Sequence, residues 1–381
     1  MKIITYGKQF VDKKDIDCVT RSLKGKLITT GSFVKKFEKN LKSFLKSKFA
    51  LTCNSGTSAI FLAFKGINLK KDDVVIMPSI NFIASYNVVK TLKAKIFLAD
   101  VDPLSGQMTP QNVIECIKNN RIKKIKAILN MYMGGYPENV LEFKKLKKKF
   151  NCYLIEDSCH AFGAKYKIKK KISLIGSCKH SDISTFSLHP LKTITSGEGG
   201  VVTTNNSIIY KNMVQYRSHG IIRNKKKHWE YNINRPGQNF RLSDINCALG
   251  LSQLKKVDKF IAYRKKIFNY YRKKFESLGN KISFFDYSNS NNPSFHLFLI
   301  SINFKKIKKS KNIFMKYMLS NNIICQYHYI PIYKFNIFDG KNLNYKNAEY
   351  YYNNTISLPI YYGLKVNEQN YIIKKIEQFF N

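Results

Sequence analysis

The stretch STFSLHPLKTITSGEGG, which runs from Ser184 to Gly200, gives the clearest indication of fold in this chain of 381 residues. Its first residues are typical of a buried strand that ends in hydroxyl side chains. A single lysine, Lys192, follows in an apolar and hydroxyl-rich window, and a glycine turn then leads into the run Val201–Thr204. The stretch therefore predicts two strands joined by a loop that carries one lysine.

Short β-branched runs alternate with helical patterns around this stretch, from about residue 49 to about residue 205. In one of these patterns Ile60, Ala63, Phe64 and Ile67 have the spacing of one buried helix face. The alternation predicts an α/β fold with a large, mainly parallel sheet, whose ligands lie at the carboxyl ends of the strands. The predicted strands are Phe49–Cys53, Val74–Met77, Lys95–Leu98, Ile125–Asn130, Cys152–Glu156, Asp182–Phe186 and Gly200–Thr204.

The sequence pattern changes after about residue 255. A long helical pattern, Val257 to Leu278, leads to a strand-like run, His296–Phe304, and two more helical patterns flank the aromatic segment Tyr327–Tyr333. We therefore predict a large α/β domain at residues 1–255, with the N-terminal arm included, and a smaller α+β domain at residues 256–381.

The charge of the chain raises the question of a nucleic-acid partner. The sequence has 66 Lys+Arg against 24 Asp+Glu, a formal net charge of +42, and basic surfaces attract phosphate backbones. The lysines are nevertheless spread over the whole length, without zinc-finger spacing, a basic zipper or an RNA-binding motif. We therefore predict no specific nucleic-acid partner, and a solvated basic surface that also suits anionic substrates.

The cysteines and the apolar runs indicate the compartment. Eight cysteines show neither paired spacing nor the spacing of metal ligands, which predicts reduced thiols and no metal site. No run approaches the ~20 apolar residues that a membrane span needs, and the first residues lack the apolar region of a signal peptide. We expect a cytoplasmic protein that does not associate with a membrane.

Lys192 is the first candidate for chemistry. Most lysines of the chain stand in polar clusters, whereas Lys192 stands among apolar and hydroxyl side chains. Such surroundings disfavour the charged form of the amine, so that the lysine can become a nucleophile toward a carbonyl group. The alternative interpretation is an ordinary solvated lysine.

Two further segments suggest a cofactor. Asp157 ends a buried-looking strand and could hold the proton of a ring nitrogen, or could simply cap the next turn. The segment Cys53–Ser58 precedes an amphipathic helix and could bind a phosphate at the helix N-terminus, or could be an ordinary cap. A phosphate cradle, a nucleophilic lysine and a carboxylate for a ring nitrogen are together the parts of a pyridoxal 5′-phosphate site. Their joint occurrence predicts this cofactor.

The same segments resemble the DegT/DnrJ/EryC1/StrS family of nucleotide-sugar aminotransferases. The resemblance is carried by Glu156–Ala164, Ser187–Gly200 and Gly237–Leu242, and it covers essentially the full chain. It implies a fold-type-I pyridoxal-phosphate transferase, similar to aspartate aminotransferase, with a large sheet domain and a smaller C-terminal α+β domain. A branch of the family that dehydrates sugars has histidine in place of the lysine, so Lys192 favours transamination.

The resemblance also implies roles for residues at the cofactor. Lys192 would bind the cofactor covalently and later move protons, and Asp157 would pair with the pyridinium nitrogen. Asn239 would reach the cofactor phosphate from a second subunit, which implies a homodimer with composite active sites. The other cofactor-binding residues would be Gly56, Thr57 and Ser187 at the phosphate, Phe82 on the ring face and His160 near the ring hydroxyl. From the residues alone, Phe82 could instead be a core aromatic and Asn239 a turn residue.

Within the family, residues 217–220, 248–256 and 326–333 are similar to the aminotransferases of pseudaminic acid biosynthesis. These enzymes transfer an amino group from glutamate to C4 of a UDP-4-keto-6-deoxy-N-acetylhexosamine. The alternatives are another 3- or 4-aminotransferase acting on a dTDP- or GDP-linked keto sugar, and a non-catalytic basic binding protein on the same fold. The substrate contacts that the resemblance implies are Tyr6, Lys26, Leu27, Ile28, Thr29, Ser55, His328, Tyr329, Ile330 and Pro331. From the residues alone, His328 could be an exposed polar side chain.

Overall fold

The computed structural model describes residues 3–224, 226–227, 229–340 and 344–380. Helices and strands alternate over most of the first 255 residues. These elements are, in chain order, α1 (Lys13–Leu23), α2 (Ser32–Leu45), β1 (Phe49–Cys53), α3 (Gly56–Gly66), β2 (Val74–Pro78), α4 (Ala84–Thr91), β3 (Lys95–Ala99), α5 (Pro110–Asn119), β4 (Ala127–Met131), α6 (Val140–Lys149), β5 (Tyr153–Asp157), β6 (Lys165–Ile168), β7 (Lys171–Leu174), β8 (Ile183–Ser187), β9 (Gly200–Thr204), α7 (Ser207–Arg217), β10 (Ile221–Arg223), β11 (Tyr231–Ile233) and α8 (Asp244–Leu254).

The central sheet confirms the predicted α/β fold and its strands. Seven strands lie in the order β1-β9-β8-β5-β4-β2-β3, and the neighbours from β8 to β3 are parallel. The strand β9 is antiparallel to both β8 and β1, which the alternation of strands and helices does not indicate. The reason is the connection from β8 to β9, which contains no helix, whereas a parallel return needs a crossover that is usually helical.

This topology collects the functional segments at one edge of the sheet. In the strand pairing Gly200, the first residue of β9, lies opposite both Cys53 at the end of β1 and Ser187 at the end of β8. Asp157 at the end of β5 pairs with Thr185 of β8. Parallel strands present their carboxyl ends at the same edge, and the reversed β9 begins there. The ends of β1, β5 and β8 therefore form the floor of one site.

The helix α3 begins at this edge because its first turn is capped. Ser55 has extended backbone angles, and its hydroxyl accepts the N–H of Ser58 at 3.1 Å. The following apolar residues, including Ile60, Ala63 and Phe64, are buried against the sheet. The predicted buried face is thus confirmed, and the amide groups of the first turn of α3 point toward the strand ends.

The elements after residue 255 form a three-stranded antiparallel sheet covered by helices. In chain order they are α9 (Val257–Phe275), β12 (Ile282–Ser283), β13 (Phe298–Ile302), α10 (Lys311–Ser320), α11 (Lys346–Asn354), β14 (Thr355–Leu358) and α12 (Val366–Phe380). The helix α11 adds a third helix to the two that the sequence indicates beyond the strand-like run. Its first amide groups, those of Asn347 and Ala348, donate to the carboxylate of Asp100, so a distant residue stabilises its start.

The N-terminal arm lies against this C-terminal part of the chain. Ile4 pairs with Ile323, and the amide of Ile360 donates to the carbonyl of Tyr6 at 3.2 Å. One apolar cluster contains Ile4, side chains of α2 and side chains of α9 and α12. A domain boundary at residue 255 remains a prediction. Of the helices that the structure describes, none is both long enough and apolar enough to cross a bilayer.

Candidate active site

A cavity of about 350 Å³ opens at the carboxyl edge of the central sheet. Side chains from the strand ends, from α3, from the lysine loop and from the C-terminal part line it together. The predicted site residues that the structure brings to this cavity are Tyr6, Ser55, Gly56, Thr57, Phe82, Asp157, His160, Ser187, Lys192, His328 and Tyr329. Residues as far apart in sequence as Tyr6 and Tyr329 thus surround one space.

Backbone hydrogen bonds fix the loop that contains Lys192. The amide of Leu188 donates to the carbonyl of Gly199 at 2.8 Å, and the amide of Ser196 donates to the carbonyl of Leu188 at 3.0 Å. Burial lowers the pKa of the Lys192 amine, while Cys159 and Asp157 act in the opposite direction. The lowered pKa raises the fraction of neutral amine, which is the nucleophilic form.

Asp157 presents a buried carboxylate at the end of β5. The amide of Cys159 donates to its Oδ1 at 3.2 Å, and the hydroxyl of Ser85 donates to its Oδ2 at 3.3 Å. The side chain is about 2% exposed. Among the described residues no lysine, arginine or histidine forms an ion pair with it, so its charge is available to a cationic group in the cavity.

The start of α3 and the end of β8 approach each other closely. A Cβ atom at Gly56 would lie 2.8 Å from Cβ of Ser187, a distance that real side chains do not reach. Glycine is therefore required at position 56 for this approach. The amides of the first turn of α3 and the hydroxyl of Ser187 thereby face the same corner of the cavity, which is the arrangement that binds an anion at a helix N-terminus.

Three imidazoles, those of His160, His296 and His328, lie near one another in the lining of the cavity. The ring centroids of His160 and His296 are 4.3 Å apart, and those of His160 and His328 are 6.0 Å apart. Burial, reinforced by the charge of Lys192, holds the pKa of His160 and of His296 well below the usual 6.5. The same causes lower the pKa of His328 to about 3. The cluster therefore offers hydrogen bonds without adding positive charge.

His296 lines the cavity, but the sequence did not indicate it as a site residue. It stands at the start of the run His296–Phe304, where a histidine reads as an ordinary buried residue next to a strand. Only the fold brings it beside His160, because the amide of His296 donates to the carbonyl of Gly134 at 3.0 Å. The other cavity residues without a predicted role are Ile60, Ala84, Met131, Cys159, His189, Leu191 and Glu198.

Two alternative interpretations from the sequence are wrong. Phe82 is not a core aromatic, since 53% of it is exposed and it lines the cavity 5.7 Å from the ring of Tyr329. His328 is not an exposed polar side chain, since it is 8% exposed and its Nδ1 lies 2.8 Å from the hydroxyl of Ser357. All eight cysteines are free thiols and seven of them are buried, as the sequence predicts.

Other predicted residues lie outside this cavity. Asn239 is exposed, and its backbone bridges to Ser218 beside the hairpin of β10 and β11. The segment of residues 26–29 is exposed and is held by α8, because the amide of Asp244 donates to the carbonyl of Ile28 at 2.9 Å. The predicted site residues that do not line the cavity are Lys26, Leu27, Ile28, Thr29, Asn239, Ile330 and Pro331.

The cavity residues fit pyridoxal 5′-phosphate. An anionic phosphate suits the corner between Gly56 and Ser187, and a protonated ring nitrogen suits the unpaired carboxylate of Asp157. The amine of Lys192, with its lowered pKa, suits the aldehyde group of the cofactor. The exposed ring of Phe82 offers an apolar face to an aromatic ring.

Comparison with known proteins also indicates an aminotransferase. The profile described as the DegT/DnrJ/EryC1/StrS aminotransferase family matches residues 9–377. The chain is 34% identical over 374 residues to the UDP-4-amino-4,6-dideoxy-N-acetyl-beta-L-altrosamine transaminase of Campylobacter jejuni strain 81-176, covering 97% of this chain and 96% of the relative. It is 28% identical to the GDP-perosamine synthase of Escherichia coli O157:H7, covering 100% of both.

A solved structure is similar over the same length. It is Helicobacter pylori PseC, described as an aminotransferase involved in the biosynthesis of pseudoaminic acid. The two chains are 29% identical and superpose with a TM-score of 0.87, covering 100% of this chain and 99% of the other.

Proposed function

Because the chain belongs to the DegT/DnrJ/EryC1/StrS aminotransferase family, we propose that it transfers an amino group from glutamate to C4 of a UDP-4-keto-6-deoxy-N-acetylhexosamine. The protein is a pyridoxal-phosphate-dependent aminotransferase. The observation that carries the proposal is that Lys192, Asp157 and the close approach of Gly56 to Ser187 all face one cavity.

The chain's own residues have separate tasks in this reaction. The cofactor, when bound, supplies an electron-poor ring that stabilises negative charge at the carbon from which a proton is removed. Lys192 would hold the cofactor through its amine, and the same amine, when free, would accept and return the proton at that carbon. Asp157 would keep the ring nitrogen protonated, because its buried carboxylate has no cationic partner among the described residues.

The substrate assignment is supported by the relatives. The Campylobacter jejuni relative is named for a UDP-linked amino sugar, and Helicobacter pylori PseC is described with the pseudoaminic acid pathway. The GDP-perosamine synthase of Escherichia coli, similar over the full length, favours a GDP-linked keto sugar as the second candidate. The net charge of +42 suits either diphosphate-linked substrate.

We further propose that the enzyme is a cytoplasmic homodimer with composite active sites. The exposed side chain of Asn239 lies outside the cavity of its own chain, which leaves it available to the phosphate corner of a partner. Ile222, Tyr231 and Ile233 of the adjacent hairpin are exposed apolar residues, of the kind that subunit interfaces cover. The free thiols agree with a reducing compartment.

A substrate panel tests the proposed function. The purified protein, loaded with pyridoxal phosphate, is incubated with glutamate and with UDP-, GDP- and dTDP-linked 4-keto and 3-keto sugars. We expect formation of a 4-amino sugar from the UDP-linked N-acetylhexosamine, with an equal amount of 2-oxoglutarate. Preferred turnover of a GDP-linked sugar would replace the first candidate by the second. Failure to aminate any sugar of the panel would contradict both candidates.

A further inference from the structure

The hydroxyl of Tyr329 forms a hydrogen bond with His160, and a contact of His160 with Gly134 determines which of the two groups donates. The hydroxyl oxygen lies 2.8 Å from Nε2 of His160. On the other side of the imidazole, the backbone N–H of Gly134 donates to Nδ1 of His160 at 3.3 Å. An imidazole nitrogen that accepts an N–H uses its lone pair and carries no proton. Nδ1 of His160 is therefore unprotonated.

The remaining proton of His160 is on Nε2. Burial and the nearby charge of Lys192 hold the pKa of His160 well below 6.5, so that the ring is neutral and has a single N–H. Since Nδ1 accepts, this N–H is at Nε2 and donates to the oxygen of Tyr329. The phenol proton of Tyr329 is consequently directed away from His160.

The free direction for this proton is the cavity. Tyr329 lines the cavity together with Lys192 and Asp157. Across the described ranges of the chain, His160 is the one hydrogen-bond partner of the Tyr329 hydroxyl. Burial, with Asp157 as the next cause, raises the pKa of Tyr329 well above its usual value, so the phenol keeps its proton. The site therefore presents a neutral O–H donor to a bound substrate.

We propose that Tyr329 is a catalytic proton donor to the carbonyl oxygen of the keto substrate, and that Gly134 and His160 are positioning residues that direct its O–H into the cavity. The role rests on the proposed function. When an amine condenses with a ketone, a C=N bond forms and the C=O bond breaks. The oxygen leaves with its electron pair and two protons as water, and the attacking nitrogen gives up both protons.

Tyr329 can transfer these protons without a net change. The phenol gives a proton to the carbonyl oxygen, which increases the electrophilicity of the carbonyl carbon. A proton released from the nitrogen then restores the phenol, and the same exchange supplies the second proton of the departing water. Lys192 transfers protons at the carbon and nitrogen atoms, whereas Tyr329 transfers protons at the oxygen atom. The two groups therefore have different tasks in the same cavity.

The first test measures the direction of the hydrogen bond without any substrate. In the holoenzyme labelled with ¹⁵N-histidine, seven imidazoles contribute signals, and the His160→Gln variant identifies those of His160. We expect the ¹⁵N shifts of His160 to show a protonated Nε2 and an unprotonated Nδ1. A proton on Nδ1 would overturn the proposal, and this result does not depend on which sugar the enzyme uses.

The second test compares two phenols that stand two residues apart. Tyr329→Phe removes the hydroxyl in the cavity, and Tyr327→Phe removes a hydroxyl outside it, where the ring packs on Lys311. With enzyme that has already taken the amino group of glutamate, we expect Tyr329→Phe to slow a single turnover of the keto sugar by about 10²- to 10⁴-fold. KM should change little, and Tyr327→Phe should react at the wild-type rate.

A third variant separates proton donation from a structural role. Replacement of Tyr329 by 3-fluorotyrosine keeps the ring and the hydroxyl but makes the phenol more acidic, so the single-turnover rate should rise with acidity. An unchanged rate, or wild-type activity of Tyr329→Phe, would overturn the role of Tyr329 and leave the proposed function intact. A wild-type protein that aminates no keto sugar would overturn the proposed function, and with it the donor role.

Discussion

At the scale of single residues, burial decides which groups of the cavity are charged. Burial lowers the pKa of the Lys192 amine and keeps the imidazoles of His160 and His296 neutral. These side chains therefore act as a nucleophile and as hydrogen-bonding groups rather than as a cluster of positive charges. The buried Asp157 adds a carboxylate to this cavity. This arrangement suits a neutral aldehyde and a cationic ring nitrogen in the same space.

The first prediction concerns Asp157. Asp157→Asn keeps the size of the side chain and an oxygen that accepts the N–H of Cys159, but an amide cannot hold the proton of the ring nitrogen. We expect the variant to bind the cofactor and to react with glutamate about 10²-fold more slowly, or slower still. Stopped-flow absorbance of the bound cofactor measures this rate. A wild-type rate would show that Asp157 does not control the ring nitrogen.

Some residues of the site could be predicted from the sequence, and others could not. Lys192 and Asp157 could be selected from the sequence, because an isolated lysine in an apolar window and a carboxylate after a buried strand are unusual local patterns. His296 could not, because its role depends on its contact with His160, 136 positions away in the sequence. A contact of this kind leaves no local signal in the sequence.

At the level of helices and strands, the start of α3 and the end of β8 form the corner that suits an anion. The seven strands of the central sheet were predictable from their β-branched runs, and the positions of their carboxyl ends therefore were too. The reversed direction of β9 was not, because periodicity does not reveal strand direction. The start of α11 depends on Asp100, which follows β3, so the sequence around α11 contains no cap that could indicate it.

The second prediction tests this corner. Gly56→Val places side-chain atoms against Cβ of Ser187, so we expect the affinity for pyridoxal phosphate to fall at least about tenfold, which is ~1.4 kcal/mol. The control is Gly66→Ala at the other end of α3, where a Cβ would meet the side chains of Met213 and Ile209. Spectrophotometric titration of the apoenzyme measures both affinities. Equal affinities in the two variants would contradict the assignment of the corner to the phosphate.

At the scale of the whole molecule, the active site joins distant parts of the chain. The cavity is closed by Tyr6 of the N-terminal arm and by His328 and Tyr329 of the C-terminal part, and the arm itself pairs with Ile323. The family resemblance predicted that these segments meet, but composition and periodicity alone did not. The stability of the molecule and the proposed assembly of two subunits are therefore expected to be linked to the site.

The third prediction concerns stability. Below about pH 6.5 the unfolded chain takes up protons at its histidines, whereas the buried His160, His296 and His328 stay neutral. The free energy of unfolding therefore falls with falling pH, by about 1.4 kcal/mol per pH unit for each such histidine. We expect His296→Asn to reduce this slope by about that amount in urea unfolding between roughly pH 6 and pH 4.

The control for this slope is His219→Asn. His219 is exposed and has a left-handed backbone (φ 59°) that asparagine adopts readily, so the substitution should leave the pH dependence unchanged. Equal effects of the two substitutions would show that burial is not the cause of the slope.

The fourth prediction tests the composite site. Lys192→Ala and Asn239→Asp should each be inactive, the latter because it places an anion against the cofactor phosphate. Random reassociation of equal amounts gives about one half mixed dimers, each with one intact site of two, so about a quarter of the wild-type activity should return. Activity no higher than that of the parents, with subunit exchange confirmed by mass spectrometry, would place Asn239 in the site of its own chain.

The central claim is that Lys192 is the residue that binds the cofactor and performs the proton transfer. Borohydride reduction of the holoenzyme makes the bond between lysine and cofactor permanent, and peptide mass mapping then locates it among the many lysines of the chain. We expect one pyridoxyl phosphate per subunit on the peptide that contains Lys192, and no label and no turnover in Lys192→Ala. Label on another lysine, or turnover that survives in Lys192→Ala, would contradict it.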